Sequence, residues 1–405
     1  MSRSRVPPYS LGHPGAVALP WLPAMLAPTV EAALRDTAST KVRFRRDAAF
    51  ALRNAETPQH DAAVAALRRL LSDPDAPVRA LSAESLAALR DAASLAAVAP
   101  LVDDPDVGVR SAAVEALADL AGDDDAPLRR LLTHDRPDVR ARTCAALAEL
   151  GAEGAEGELV RVLDDPNAVA RHGATTALGW WFPRRRSAEL HLRLQDPDAS
   201  VRLAAADALA FVDDDAGLDV LRERLRRGPA DETWDDALAR LSGRAAPADR
   251  PLFAAHAKWP TRPRRRAIAL AALARLGDEA AAAKLRTWLE HRDPQRRAEA
   301  LLAAGSARLE RFRTAIEDHI RNPGSPAFHA ALAAAVQAAE PALAGALVET
   351  ARTTADRAVF EDLAAAADDL ARVLGDRAPQ DLRDLAGASF EGLGTTNDDR
   401  NPRDG

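Results

Sequence analysis

A fixed period constrains this chain more than any other feature. One phrase recurs five times, at Val78-Arg79 to Leu86, Val109-Arg110 to Leu117, Val139-Arg140 to Leu147, Arg171 to Leu178 and Val201-Arg202 to Leu209. The arginines step by 31, 30, 31 and 31 residues, and each is followed by a small residue at +3, another at +6 and a leucine at +7. A period of this size belongs to stacked supersecondary units, each too small to bury its own apolar face alone.

Every strong copy has the same anatomy. A short apolar helix leads, as in Ala62–Leu71, Leu95–Val102, Leu128–Leu132 and Leu159–Leu163. A breaker follows: Asp73-Pro74, Asp104-Pro105, Asp135-Arg136-Pro137, Asp165-Pro166 or Asp196-Pro197. Its aspartate suits a helix start and its proline a position with no amide to satisfy. The second helix then opens at the Val-Arg pair, where the valine and its +3, +7 and +10 neighbours share one face.

Weaker copies extend the register both ways. Upstream, Arg45, Ala48, Ala51 and Leu52 fit. Downstream, Trp234 stands where arginine is expected, and units follow at Arg266, Arg297 and His329, with a last one in Arg357–Leu374. Apolar residues make up 47% but aromatics only 4%, because alanine and leucine dominate. Such a composition favours helices packed through small side chains.

The Asp-Pro-Asp-x-x-Val-Arg-x-x-Ala-x-x-Ala-Leu phrase, carried best from Asp73, Asp104 and Asp196, resembles the HEAT repeat in its short bacterial, phycobilisome-lyase-like form. The third copy is one residue short, and Trp234 departs from the pattern. The resemblance implies an all-α fold, an α–α superhelix (HEAT-repeat solenoid) of about ten helix pairs, right-handed and with the second helices on its concave side. The solenoid is expected over residues 29–375. Residues 1–28 are expected to dock on the first repeat, and 376–405 to be a mostly disordered tail. The family spans scaffolds, chromophore-lyase subunits, iron hydroxylases and alkylpurine DNA glycosylases, so a shared fold carries no function with it.

Residue-level signals favour binding over chemistry. Net charge is −7 with 28% charged residues, a near balance that argues against a nucleic-acid partner. The charge is nevertheless uneven: Glu84–Asp125 carries ten acids against Arg90 and Arg110, while His256–Arg297 carries eleven bases against four acids. The lone Cys144, mid-helix, reads as a core filler and excludes a cysteine zinc cluster. The nine histidines lack ligand spacing, so neither a metal nor a cofactor is expected. Pro20 and Pro23 interrupt the Ala16–Ala27 run that a signal peptide would need, and no stretch reaches the ~18 apolar residues of a membrane span. A cytoplasmic protein without membrane insertion is expected.

A protein or peptide partner is therefore expected on the solvent-facing second-helix positions one and five residues after each arginine: Glu84, Glu115, His172, Thr176 and Asp207. The Trp180-Trp181-Phe182 run and the adjoining Arg184, Arg185 and Arg186 have the composition of an interaction hot spot. Arg79, Arg110, Arg140, Arg171 and Arg202 are expected to form a structural ladder, each fork pairing with the breaker aspartate of its own or a neighbouring repeat. Trp234-Asp235-Asp236 is the most enzyme-like cluster, since a base-excision site joins a carboxylate to aromatic walls. It defines the alternative reading, a glycosylase-type nucleic-acid binder. An accessory subunit resembling a chromophore lyase is the other alternative, carried by the repeat phrase alone.

Overall fold

The computed structural model describes residues 29–390, apart from 123, 152–153, 183, 213, 228–231, 259 and 389. The expected N-terminal extension, and the tail beyond 390, lie outside the described residues. Twenty-three α-helices and no strand occur among the described residues. They form eleven consecutive pairs and one final helix, an all-α superhelix of the α–α kind.

The pairs are α1 (Val30–Asp36) with α2 (Val42–Leu52), α3 (His60–Leu70) with α4 (Ala76–Ala88), α5 (Leu95–Val98) with α6 (Val107–Ala121), and α7 (Ala126–Leu131) with α8 (Pro137–Leu150). Next come α9 (Ala155–Val162) with α10 (Ala168–Trp181), α11 (Ser187–Arg193) with α12 (Ala199–Phe211), and α13 (Leu218–Arg227) with α14 (Glu232–Ser242). The series ends with α15 (Arg250–His256) and α16 (Pro263–Arg275), α17 (Glu279–Leu289) and α18 (Pro294–Ser306), α19 (Arg313–Ile320) and α20 (Phe328–Ala338), and α21 (Ala344–Thr353) and α22 (Arg357–Leu374). Past Gly375, where the periodicity fades, one more helix forms: α23 (Gln380–Ala386) buries Leu382 and Leu385 against α21 and α22. Helical order thus runs beyond the expected boundary at 375.

The described chain divides into two units at Ala205–Ala206, within α12. In the N-terminal unit, α4 packs on α6, α6 on α8 and α8 on α10. One continuous core runs from Ala33 to Leu178, and Leu52, Leu86, Leu147 and Leu178 of successive second helices are fully buried in it. Small residues set the helix spacing. A Cβ added at Gly173 of α10 would lie 2.5 Å from the Cα and Cβ of Ala141 in α8, so the two backbones meet where only glycine fits. In the C-terminal unit α14, α16, α18, α20 and α22 stack in the same way, and α14 also touches α18 directly.

The breaker aspartate works differently from a simple cap. Asp73 and Asp104 each accept the amide of the residue two positions on, Asp75 and Asp106, at 2.9 Å. Asp165 does the same for Asn167 at 2.8 Å, and Asp196 for Asp198 at 2.9 Å. The aspartate therefore folds the turn, and the residue two further on takes the N-cap position, with its side chain accepting in Asp106 and Asn167. In the short third copy the ring nitrogen Nδ1 of His134 takes the aspartate's place, accepting from the Arg136 amide at 3.2 Å. His291 repeats this for Asp293 at 3.0 Å.

Candidate binding surface

Arg79, Arg110, Arg140 and Arg171 each tie two repeats together. Arg79 donates Nε and Nη2 to the Asp104 carboxylate, both at 2.8 Å, and Nη1 to the carbonyls of Asp73 and Pro74. Arg140 grips Asp165 in the same two-pronged way at 2.7 and 2.8 Å, and Arg171 grips Asp196 at 2.9 Å twice. Arg45 does so with Asp73. Arg110 reaches a different acid, Asp138, at 2.6 Å, because His134 stands where the other turns carry the aspartate. Arg202 donates to the carbonyls of Asp196 and Pro197. The guanidinium thus staples its own turn through carbonyls and the following turn through a carboxylate. Burial alone would raise Asp165 and Asp196, yet the arginine hydrogen bonds and the turn amides hold both below the usual carboxylate range. For Asp104 the Arg79 hydrogen bond is itself the largest influence.

With these arginines directed into the turns, the +1 and +5 positions remain open to solvent. Glu84, His172 and Thr176 are exposed, and Glu115 is half-buried. Glu115 pairs with Arg142 at 2.9 Å, and Asp207 with Arg240 at 2.7 Å. Although water reaches Glu84, desolvation and then the neighbouring Glu115 push its carboxyl up. Desolvation likewise lowers exposed His172.

The aromatic and arginine cluster at the end of α10 does not join this wall as one patch. Trp181 and Phe182 pack against the unit's core. Arg186 pairs with Glu156 at 2.5 Å and with Glu189 at 2.9 Å, while Arg185 pairs with Glu156 at 3.2 Å and lies over the Phe182 ring. Arg184 is exposed. Two of the three arginines therefore link α9, the α10–α11 turn and α11.

Trp234 is buried at the ladder position, with its indole N–H donating to the Leu225 carbonyl at 3.1 Å. Arg265 covers its ring at 4.4 Å and pairs with buried Asp235 at 2.5 Å; His256 meets the ring edge-on. The arginine missing from Trp234 is thus supplied by the next repeat. Asp236 points elsewhere, to Arg264 at 2.6 Å, and desolvation pushes it up to about 6. Cys144 is fully buried, and burial pushes its thiol up to about 12. One feature had no signal in the sequence. Phe211, Arg240, Gly243, Arg244, Ser306 and Arg308, with neighbouring residues, line a hollow in the C-terminal unit.

Repeated helix pairs joined by an Arg–Asp ladder are matched by the family model for HEAT repeats at residues 27–118 and 125–190. Those two stretches of the chain are HEAT repeats. No curated protein sequence matches it. Solved structures similar to it include the complex of CpcE and CpcF of phycocyanin lyase from Nostoc, with 23% identity, 54% of this chain and 88% of that one covered, and a TM-score of 0.34. Importin beta shares 12% identity over 88% of this chain and 58% of its own, at a TM-score of 0.37. Human deoxyhypusine hydroxylase shares 21% identity over 60% and 95%, at 0.28. Likeness at these levels carries neither an activity nor a partner to this chain. No helix among the described residues is long and apolar enough to cross a membrane.

Proposed function

We propose that this HEAT-repeat chain is a non-catalytic scaffold that holds a protein or peptide partner against its second helices. The observation that carries the reading is the row of solvent-accessible polar side chains at Glu84, Glu115, His172 and Thr176, at matching positions of successive second helices. Rigid elements hold this row, since the ladder arginines fix each turn to the next, and preorganisation lowers the entropic cost of binding. The acid-rich stretch containing Glu84 and Glu115 suits a partner with a basic segment. Trp180, Trp181 and Arg184–Arg186 serve as a second contact region in this reading, with Arg184 and Arg185 its exposed members. A cytoplasmic location fits such a role.

Burial of Trp234 argues against the glycosylase reading, because a covered ring offers no open face on which an extruded base could stack. Pairing of Asp235 with Arg265 likewise ties up the carboxylate such a site would need. The test is affinity capture from native cells with the tagged chain and with its Glu84→Lys/Glu115→Lys variant. Placing like charge against a basic segment costs several kcal/mol, so capture by the variant is expected to fall by more than about tenfold. Equal capture by both forms contradicts the reading. Capture of nucleic acid that weakens steeply with salt would favour the alternative.

A further inference from the structure

In the turns that lead into α4, α6, α10 and α12, an aspartate accepts the amide two positions on, and the arginine one repeat earlier forks onto the same carboxylate. In the C-terminal unit that turn position changes chemistry. His291 holds it before α18, and Ser325 holds it before α20, where its hydroxyl oxygen accepts the Ala327 amide at 3.2 Å. The ladder register sets Arg266 against the first of these turns and Arg297 against the second. Arg266 lies 4.6 Å from the centre of the Trp288 ring, just ahead of His291. Arg297 staples its own turn as Arg79 does, donating Nη1 to the carbonyls of His291 and Arg292. It also lies close to His319, which hydrogen-bonds Ser325 at 2.9 Å: desolvation first, and then the Arg297 charge, lowers that imidazole.

Neither Arg266 nor Arg297 has a carboxylate partner among the described residues, and the sheltered Nε of Arg266 finds no acceptor. A buried donor left unpaired is unfavourable. In the third copy, which also has histidine in its turn, Arg110 turns to Asp138, the second residue of α8. The second residue of α18 is Gln295 and that of α20 is His329, so no such carboxylate stands there. His291 deepens the shortage of acceptors. The Asp293 amide donates to its Nδ1, which puts the ring proton on Nε2, and Nε2 faces Arg296 Nη1 at 3.3 Å. Two donors meet there, whereas His134 directs the same nitrogen at the Asp103 carboxylate, 3.3 Å away. Asp293 is 3.9 Å from Arg296, and Arg292 beside it is exposed.

We propose that the turns before α18 and α20 bind an acidic segment of a protein partner, whose carboxylates take the places that Asp104 and Asp165 fill for Arg79 and Arg140. A carboxylate is what the matching forks hold elsewhere in this chain, and a planar guanidinium receives its two oxygens side by side. Packed helices lie about 10 Å apart, close to the span of three extended residues at ~3.3 Å each, so acids three positions apart suit successive turns. This surface and the Glu84–Glu115 row belong to different units, and the inference does not depend on the scaffold reading.

The probe is a fluorescein-labelled peptide with aspartate at every third position and glycine or serine between, titrated with the full chain by fluorescence anisotropy at low ionic strength. Parallel arms use the same peptide with asparagine for aspartate, and an oligothymidylate of equal length. Saturable binding of the aspartate peptide is expected, with the asparagine peptide about tenfold weaker or worse. Arg297→Gln is expected to weaken binding about tenfold. The double variant His291→Asp/Ser325→Asp supplies both carboxylates from within the chain. It is expected to lose peptide binding and to unfold at higher urea than wild type, a pairing that a merely damaged fold would not give. No saturable binding by wild type, binding undiminished in both variants, or a lowered urea midpoint in the double variant overturns the proposal. Tighter binding of the oligothymidylate than of the aspartate peptide also overturns it, in favour of a nucleic-acid partner.

Discussion

Replacing Arg79 by alanine tests what joins one repeat to the next. The wild-type guanidinium makes two bonds to Asp104 and two to the turn at Asp73-Pro74. Side-chain exposure is only 13% for Arg79 and 6% for Asp104, so removing the arginine leaves a sheltered carboxylate without its partner. Breaking a buried pair in this one-sided way costs roughly 3–5 kcal/mol. The pair is shallow, however, and water can move in to rehydrate Asp104, so we expect about 2–3 kcal/mol. Urea unfolding followed by far-ultraviolet circular dichroism at pH 7 measures the loss.

The same variant carries a pH signature. Arg79 depresses the folded-state pKa of Asp104, so the stabilisation is complete above the unfolded-state value and is lost as pH falls through the lower, folded-state one. The gap between wild type and Arg79→Ala is therefore expected to be widest at neutral pH and to close in strong acid. An Arg79→Ala midpoint equal to wild type at pH 7, or a gap that widens on acidification, would refute the ladder as a stabilising device.

Two further outcomes follow from packing. Gly173→Ala puts a Cβ 2.5 Å from the Ala141 backbone, which has no rotamer to yield, and overpacking of this kind is expected to cost about 1–3 kcal/mol in the same unfolding assay. Cys144, with its thiol near 12, is expected to alkylate at pH 8 roughly 10³-fold more slowly than a free cysteine until urea unfolds the chain. Mass spectrometry of iodoacetamide-treated protein checks this, and stoichiometric labelling of the folded chain within minutes would contradict it.

Much of the architecture was legible because one turn recurs. The Asp-Pro breaker and the Val-Arg start announce the same local geometry each time, and Leu86, Leu117, Leu147 and Leu178 are buried, as their shared phase implies. Legibility failed where partners are set by three-dimensional offset. Nothing local says that Arg110 takes Asp138 while Arg79 takes Asp104. The substitution of His134 and His291 for a turn aspartate was hidden because an imidazole nitrogen and a carboxylate oxygen do the same accepting work with unlike letters. Helix α23 escaped the period since it has no second helix after it within the described residues. The arginine hollow joins Phe211 to Arg308, and a period near 31 residues cannot disclose contacts between non-adjacent units.

Hydrogen–deuterium exchange on the complex with a captured partner tests the central claim most directly. Binding along the second helices predicts added protection in α4, α6 and α10, around Glu84, Glu115 and Thr176, with little change in α3, α7 and α9. Protection confined to those first helices would contradict it.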